Sequence, residues 1–300
     1  MTKELNDNIS LTSEEFGIFE TFFQYGDLAK AGLVFVGMEE GVGGYNTQEA
    51  VNARLDLFHN HRSKDCIGYV NGKNPNDGWF LTNPLILREI LKRNQHTNNA
   101  NKRRSQTMII QNRFSWLLDS NNSKVNYDNI VDQDFKNYNK LHGINSKTAM
   151  IDYYPLPKLK GSSFPYSIPQ IKNKEAYYDY HNQFNDNNKR YRLFKRLYDI
   201  FTMNISIVYA GIKKGEFKLH ELYKELGFTF EEMNTSQVNP RYTGLIKPKQ
   251  NKSRKFLLGY RTNKNNSKQI AVLTPFLGNG QLSYNDVDVI STWLIDDNDS

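Results

Sequence analysis

Gly32-Leu-Val-Phe-Val-Gly-Met-Glu-Glu-Gly-Val-Gly-Gly-Tyr45 is the stretch that indicates the fold class, because an apolar run stops there at a cluster of glycines. Residues 33–36 are β-branched, apolar or aromatic, which is typical of a strand covered on both faces. The glycines that follow allow the backbone to turn tightly or to approach a ligand closely. Glu39 and Glu40 are therefore expected in a turn at the carboxyl end of a strand, where α/β enzymes place functional groups.

Further strands and helices alternate along the chain. Strands are predicted over residues 148–154, 204–211 and 269–274, with 255–261 forming a hairpin with the last of them. Pro155 and Pro157 are expected to end the strand at 148–154, and a loop is expected at 158–180. Helices are predicted over residues 13–29, 47–60, 85–93, 106–119, 188–201, 216–226 and 284–294. This alternation predicts a single α/β domain over residues 1–300, with three α/β/α layers and a central four-stranded, mainly parallel sheet.

The composition favours an acidic partner. The net charge is +7, and 18 Tyr and 18 Phe supply rings on which bases stack, so a nucleic acid is favoured over an anionic membrane surface. The single Cys66 excludes an internal disulfide framework and a multi-cysteine zinc or iron–sulfur site. No apolar stretch approaches the roughly 20 residues of a membrane span, and the polar N-terminus does not resemble a signal peptide. A cytoplasmic protein without an obligate protein partner is expected.

Four chain segments are expected to meet in one cleft, because the carboxyl ends of parallel strands lie along one edge of the sheet. These segments contain acids, amides, lysines and aromatic residues: Glu39, Glu40, Tyr45, Asp152, Tyr153, Tyr154, Lys213, Lys214, Asn279 and Gln281. The glycine-rich segment lacks the Lys-Ser/Thr of a phosphate-binding loop, and its two carboxylates would repel a pyrophosphate. No histidine pair has metal-ligand spacing, so neither a metal nor a cofactor is expected. Two alternatives stay open: Glu39 and Glu40 cap the next helix, or they form a metal-dependent nuclease site with Asp152.

The same segments resemble motifs of the uracil-DNA glycosylase superfamily. In that family the first strand runs into Gly-x-(Asp/Asn/Ala)-Pro-(Gly/Tyr), and Gly37-Met38-Glu39-Glu40-Gly41 matches its first and last positions. The segment Asp152-Tyr153-Tyr154-Pro155 resembles the loop after the family's second strand. Leu273-Thr274-Pro275-Phe276 keeps the proline of the family's His-Pro-Ser motif but not its histidine. The resemblance implies a uracil-DNA glycosylase-like fold and an enzyme that flips a base out of DNA and hydrolyses its N-glycosidic bond, leaving an abasic site.

The resemblance also implies roles for individual residues. Glu39 would activate or orient the attacking water, with Glu40 and Asp152 as further catalytic candidates. The flipped base would lie against Met38, Tyr45, Tyr153, Tyr154, Thr274, Phe276 and Asn279. DNA contacts would come from Lys102, Arg103, Arg104, Lys213, Lys214 and Gln281, with Leu277 or Leu282 entering the gap left in the duplex. Basic segments at 101–104, 189–196 and 247–264 would follow the DNA backbone.

Two departures from the family pattern bear on the substrate. Thr274 replaces the histidine that stabilises the leaving base, and Glu40 replaces a proline. They favour a modified base that leaves more easily, as in superfamily members that act against phages with modified DNA. The alternatives are a non-catalytic nucleic-acid-binding protein on the same scaffold and, less favoured, the nuclease.

Overall fold

The computed structural model of the chain describes residues 8–26, 28, 31–41, 47–61, 80–82, 106–119, 141–142, 147–158, 164–200, 204–212, 215–249, 253–277 and 280–295. These residues form seven helices and ten strands. The helices are α1 (Ser13–Thr21), α2 (Thr47–His61), α3 (Gln106–Asp119), α4 (Lys174–His181), α5 (Lys189–Ile200), α6 (Leu219–Glu225) and α7 (Tyr284–Ile295). The strands are β1 (Ile9–Ser10), β2 (Phe22–Tyr25), β3 (Leu33–Gly41), β4 (Phe80–Thr82), β5 (Thr148–Lys158), β6 (Tyr166–Ser167), β7 (Ile205–Tyr209), β8 (Thr229–Asn234), β9 (Lys255–Thr262) and β10 (Lys268–Thr274).

Eight of the described strands form one mixed sheet in the order β4-β2-β5-β3-β7-β10-β9-β8. Strands β5, β3, β7 and β10 pair with one another in parallel. The hairpin partner β9 is antiparallel to β10, as expected, and β8 continues the sheet antiparallel to β9. The predicted α/β class is therefore confirmed. The predicted number of four strands is too low, because further strands extend the sheet at both edges.

Helices cover both faces of the sheet. In β3, Val34 and Val36 join one apolar core with side chains from α1, α2, α4, α5 and α6. Phe35 points to the opposite face and joins a second core with side chains from α3 and α7. This alternation follows from the two-residue period of a strand. On the second face, the buried Arg113 of α3 makes a two-pronged ion pair with Asp288 of α7, with Nε–Oδ1 and Nη2–Oδ2 distances of 2.7 and 2.8 Å.

Three predicted boundaries are wrong. The helix predicted over 13–29 ends at Thr21, and β2 follows, because Tyr25 pairs with Met150 of β5 and the sheet contact overrides helical periodicity. Pro155 and Pro157 do not end β5, which continues to Lys158. Among the described residues, β2 pairs with β5 only through Tyr25 and Met150. Beyond Met150 that side of β5 has no described pairing partner, and proline is tolerated at such an edge.

The third error is the loop predicted at 158–180, which contains β6 and most of α4. The side chain of Asn173 caps α4 by accepting a hydrogen bond from the backbone N–H of Ala176 at 2.8 Å. That asparagine is a helix-start signal in the sequence.

The helix predicted at 85–93 lies outside the described residues. Within the described part of the chain, no helix is both long and apolar enough to cross a membrane.

Candidate functional site

A carboxylate and a phenol meet above a glycine where β7 ends, at a level past which the neighbouring parallel strands β3 and β5 continue. Gly37 of β3 lies beside Asp152 of β5 in the strand register, and the hydroxyl of Tyr209, the last residue of β7, donates to Asp152 Oδ1 at 3.0 Å. A Cβ atom at position 37 would overlap both Asp152 Oδ1 and the Tyr209 hydroxyl. The pair therefore occupies space that exists because residue 37 has no side chain.

The backbone of Asp152 is fixed by Arg190 of α5, which is completely buried. Its guanidinium donates to the carbonyl oxygens of Asp152 and of Tyr153, the latter at 2.9 Å, and to that of Glu20 in α1 at 3.1 Å. Burial lowers the pKa of Arg190 to about 10, so the group is still a cation at neutral pH. Asp152 is thus held at its carbonyl by Arg190 and at its carboxylate by Tyr209.

Glu39 lies two residues farther along β3 and is half-buried. The hydroxyl of Tyr178 in α4 donates to Glu39 Oε1 at 2.5 Å. Burial, and then the negative charge of Glu39, raise the pKa of Tyr178 far above its ordinary value. The phenol therefore stays protonated and remains a hydrogen-bond donor to the carboxylate at any physiological pH.

The helix that carries Tyr178 is anchored next to this pair. Lys174 of α4 forms an ion pair with Glu216 at 2.6 Å, and its ammonium lies 5.9 Å from the centre of the Tyr178 ring. The buried Tyr154 hydroxyl donates to Asn182 Oδ1 at 2.7 Å and accepts from the backbone N–H of Lys218 at 3.0 Å. These contacts fix the position from which Tyr178 reaches Glu39.

The sequence predicted that Glu39 and Glu40 lie in a turn, and this prediction is wrong. Strand β3 runs on to Gly41, because Glu39 pairs with Tyr154 of the extended β5, and the register shifts only between Glu39 and Gly41. The strand pairing that extends β3 thus sets where the acids lie. The backbone of Glu40 belongs to β3, and its side chain is outside the described residues.

Several residues predicted to contact the base or the DNA belong to the core. Tyr153 and Tyr154 are completely buried, and the Tyr153 hydroxyl donates to the carbonyl of His181 at 2.7 Å, so neither ring lines an open cleft. Thr274 is also buried, and its hydroxyl donates to the carbonyl of Pro275 at 2.8 Å. Leu277 and Leu282 pack in the core beside α7. The predicted stacking and wedge roles of these residues are not supported, because their side chains are used in packing.

Three other predicted residues remain near the surface. Met38 is half-buried and packs against the core on the α4 side of the sheet. Phe276 is half-buried, with its ring centre 6.0 Å from that of Tyr209, so the end of β10 approaches the Asp152–Tyr209 pair. Gln281 is exposed, and its side-chain oxygen accepts a hydrogen bond from the backbone of Phe276 at 3.2 Å. The remaining predicted site residues lie outside the described residues: Tyr45, Lys102, Arg103, Arg104, Lys213, Lys214 and Asn279.

Sequence reasoning missed Tyr178, Tyr209 and Arg190. Tyr209 had a usable signal, since it ends a buried strand at the same edge as Gly37. Arg190 was assigned to a basic helix surface, and Tyr178 lies in a segment predicted to be a loop. The contacts of these two residues depend on tertiary packing, which local sequence patterns do not contain.

We expect Gly37→Ala to lower the free energy of unfolding by about 1–3 kcal/mol, because the new methyl group must displace the Asp152 carboxylate or the Tyr209 ring. Urea unfolding of the variant measures the loss. Gly32→Ala is the matched control, since residue 32 is exposed and, apart from its chain neighbours, no atom of a described residue lies within 4 Å of the position that its methyl group would take. Equal stability of the two variants would contradict the close approach at Gly37.

Among the residues with described positions, no group of three or more His, Cys, Asp and Glu side chains is arranged to hold a metal ion. In comparisons with protein-family models, curated proteins and solved structures, the chain has no match.

Proposed function

We propose that the protein is a DNA glycosylase that hydrolyses the N-glycosidic bond of a flipped, modified base, with Glu39 orienting the attacking water. The observation that carries the proposal is the half-buried Glu39 carboxylate, held by Tyr178 at 2.5 Å at the carboxyl edge of the sheet. Asp152 and Tyr209 form a second acid–phenol pair, which is buried beside it on β5 and β7. Ligand sites of α/β proteins lie at this edge of the sheet.

The chemistry of base excision suits this arrangement. Breaking the bond between sugar and base passes through a sugar with oxocarbenium character, which a nearby carboxylate stabilises electrostatically. The same carboxylate accepts a hydrogen bond from water and directs it toward the sugar carbon. Tyr178 restricts the rotation of the Glu39 side chain, so the acid does not have to be ordered when the substrate binds.

The sheet and the surface charge support the same proposal. Four consecutive parallel strands with helices on both faces agree with the uracil-DNA glycosylase-like fold that the sequence resemblance implies. The exposed side of α5 carries Arg192 and Lys195, whereas Phe194 and Leu197 are buried. A basic surface of this kind attracts the phosphates of DNA.

The substrate is proposed to be a modified base because of Thr274. Its buried hydroxyl donates to Pro275, and so Thr274 does not offer the donor that the family's histidine supplies to the leaving base. A base that leaves readily needs less assistance from such a donor. A role in defence against phages with modified DNA is part of the proposal.

The second candidate is a non-catalytic nucleic-acid-binding protein on the same scaffold. The observation that favours it is again the buried Thr274, together with the engagement of Asp152 by Tyr209. This candidate predicts salt-dependent DNA binding without any chemical product.

The test is incubation of the protein, in the presence of EDTA, with DNA that contains uracil, hypoxanthine, hydroxymethylcytosine or glucosylated hydroxymethylcytosine. Single- and double-stranded forms are compared, and alkali then cleaves the DNA at any abasic site. We expect cleavage at one class of modified base, with the same yield with and without EDTA. Binding without cleavage on every substrate would favour the second candidate, and cleavage that EDTA abolishes would favour a metal-dependent nuclease.

A further inference from the structure

A groove on the second face of the molecule is separate from Glu39 and its partners. It lies between the loop 245–249 and the first residues of α7, with Arg113 of α3 at its floor, and we call it the lysine groove. Its volume is about 550 Å³. Small-molecule sites fall in the range of about 300–1,000 Å³, so the groove is large enough for a nucleotide.

The walls of the lysine groove are fixed before any ligand arrives. The side chain of Asn285 donates to the carbonyl of Lys247 at 2.8 Å and accepts from the backbone N–H of Lys249 at 2.9 Å. Ile246, next to Lys247 in this loop, is buried. The backbone of both lysines is therefore held against α7, which sets the spacing of their two side chains.

The charge of the groove is positive. Neither Lys247 nor Lys249 has a carboxylate within 4 Å among the residues that the structure describes, and both side chains are exposed. Two acids of α7 near the groove have partners of their own: Asp288 is paired with Arg113, and Asp286 accepts hydrogen bonds from Thr235 and Ser283. Two ammonium groups on one rim are thus available to an anion.

Apolar surface lies next to these cations. Leu245 and Tyr284 are the large hydrophobic residues most exposed in the described part of the chain, with 64% and 40% of their surface accessible. The Arg113 guanidinium lies 4.7 Å from the centre of the Tyr284 ring and holds it in place. An exposed ring of fixed orientation is a surface on which a flat ligand stacks.

We infer that the lysine groove binds one nucleotide of a single-stranded nucleic acid, with the base stacked on Tyr284 and phosphates at Lys247 and Lys249. A ring beside two exposed cations is the combination that binds single strands without reading their sequence. An acidic peptide would use the lysines but would gain little from the ring. The inference goes beyond the proposed function, because binding in this groove does not require hydrolysis at Glu39.

The test measures binding of a labelled oligothymidine to the full chain by fluorescence anisotropy at several salt concentrations. The oligothymidine has no modified base, so its result is independent of the glycosylase assay. We expect Tyr284→Ala to weaken binding about 5- to 100-fold and Tyr284→Phe to retain it, since the phenylalanine keeps the ring. We expect the pair Lys247→Ala/Lys249→Ala to weaken binding and to lower the salt slope by about 1.4, or about 0.7 for each phosphate that a lysine no longer neutralises.

The matched control is Lys172→Ala/Lys224→Ala, which removes two exposed lysines elsewhere and leaves the salt slope closer to that of the parent. Parental affinity in both groove variants would overturn the inference. An equal loss in the control pair would also overturn it, because binding would then depend on net charge alone. Loss in the lysine pair with parental affinity in Tyr284→Ala, together with displacement of the DNA by polyglutamate, would assign the groove to an acidic peptide instead.

Discussion

Glu39→Gln is expected to lower the rate of base release by about 10²- to 10⁴-fold while leaving DNA affinity close to that of the parent protein. The substitution keeps the size of the side chain, and the amide oxygen still accepts the hydrogen bond from Tyr178. It removes the negative charge that would orient water and stabilise the positive charge on the sugar. Single-turnover kinetics on the modified DNA that the parent cleaves, with anisotropy for affinity, separates the two quantities.

Two further variants give this experiment its controls. Glu231→Gln changes an exposed glutamate on the edge strand β8 and is expected to keep the parental rate. Tyr178→Phe retains the Glu39 charge but removes its hydrogen bond, so a loss smaller than that of Glu39→Gln is expected. A parental rate in Glu39→Gln would remove Glu39 from the catalytic role, whatever the other variants do.

The sequence predicted secondary structure best where the apolar residues of a single helix or strand repeat with the period of that element. An apolar face of Ile109, Ile110, Phe114, Trp116 and Leu117 predicted a helix over 106–119, and α3 has those bounds, with Ile109 and Trp116 half-buried and the other three buried. The apolar run at 33–36 likewise predicted β3. Its extension to Gly41 was not predictable in the same way, because it depends on β5 as a pairing partner.

Part of the candidate site was also predictable from the sequence. The edge rule for parallel strands selected Glu39 and Asp152, which lie close together on the neighbouring strands β3 and β5, although β5 continues past Asp152 to Lys158. It could not supply Tyr178, which is 139 residues from Glu39 along the chain. The rule also ignored burial, so it offered Tyr153 and Tyr154 as base-stacking residues although their rings fill the core.

Acidification from pH 7 to pH 5 is expected to lower the free energy of unfolding through two buried histidines, with about 2 kcal/mol of the loss coming from His142. His142 is completely buried, with its Nε2 atom 3.1 Å from Gln111 Oε1, and burial lowers its pKa to about 3. His181 is also completely buried, with its ring centre 4.7 Å from that of Tyr177. Burial, and then the charge of Arg190, lower the pKa of His181 well below its usual range.

The sign follows from proton uptake. In the unfolded chain both histidines bind a proton below about pH 6.5, whereas in the folded chain burial shifts proton binding to lower pH, so acid favours the unfolded state. His142 contributes a loss of about 1.4 kcal/mol per pH unit below 6.5, which amounts to about 2 kcal/mol at pH 5, and His181 adds a loss in the same direction. For His142 the loss ends near pH 3, where the folded form also takes up its proton. Burial raises the pKa of Glu20, and this acts in the opposite direction, so it offsets part of the loss.

Urea unfolding at pH 7, 6 and 5 measures this dependence, and His142→Gln isolates one of its sources. Glutamine stays neutral throughout this range and can still donate to Gln111, so the variant should lose about 2 kcal/mol of the change between pH 7 and pH 5 even though its stability at pH 7 is lower. His59→Gln is the matched control, because His59 is exposed on α2, and it should follow the parent at each pH. If His142→Gln kept the full parental slope, the acid sensitivity would have to come from other groups, and His142 would not be held neutral by the fold.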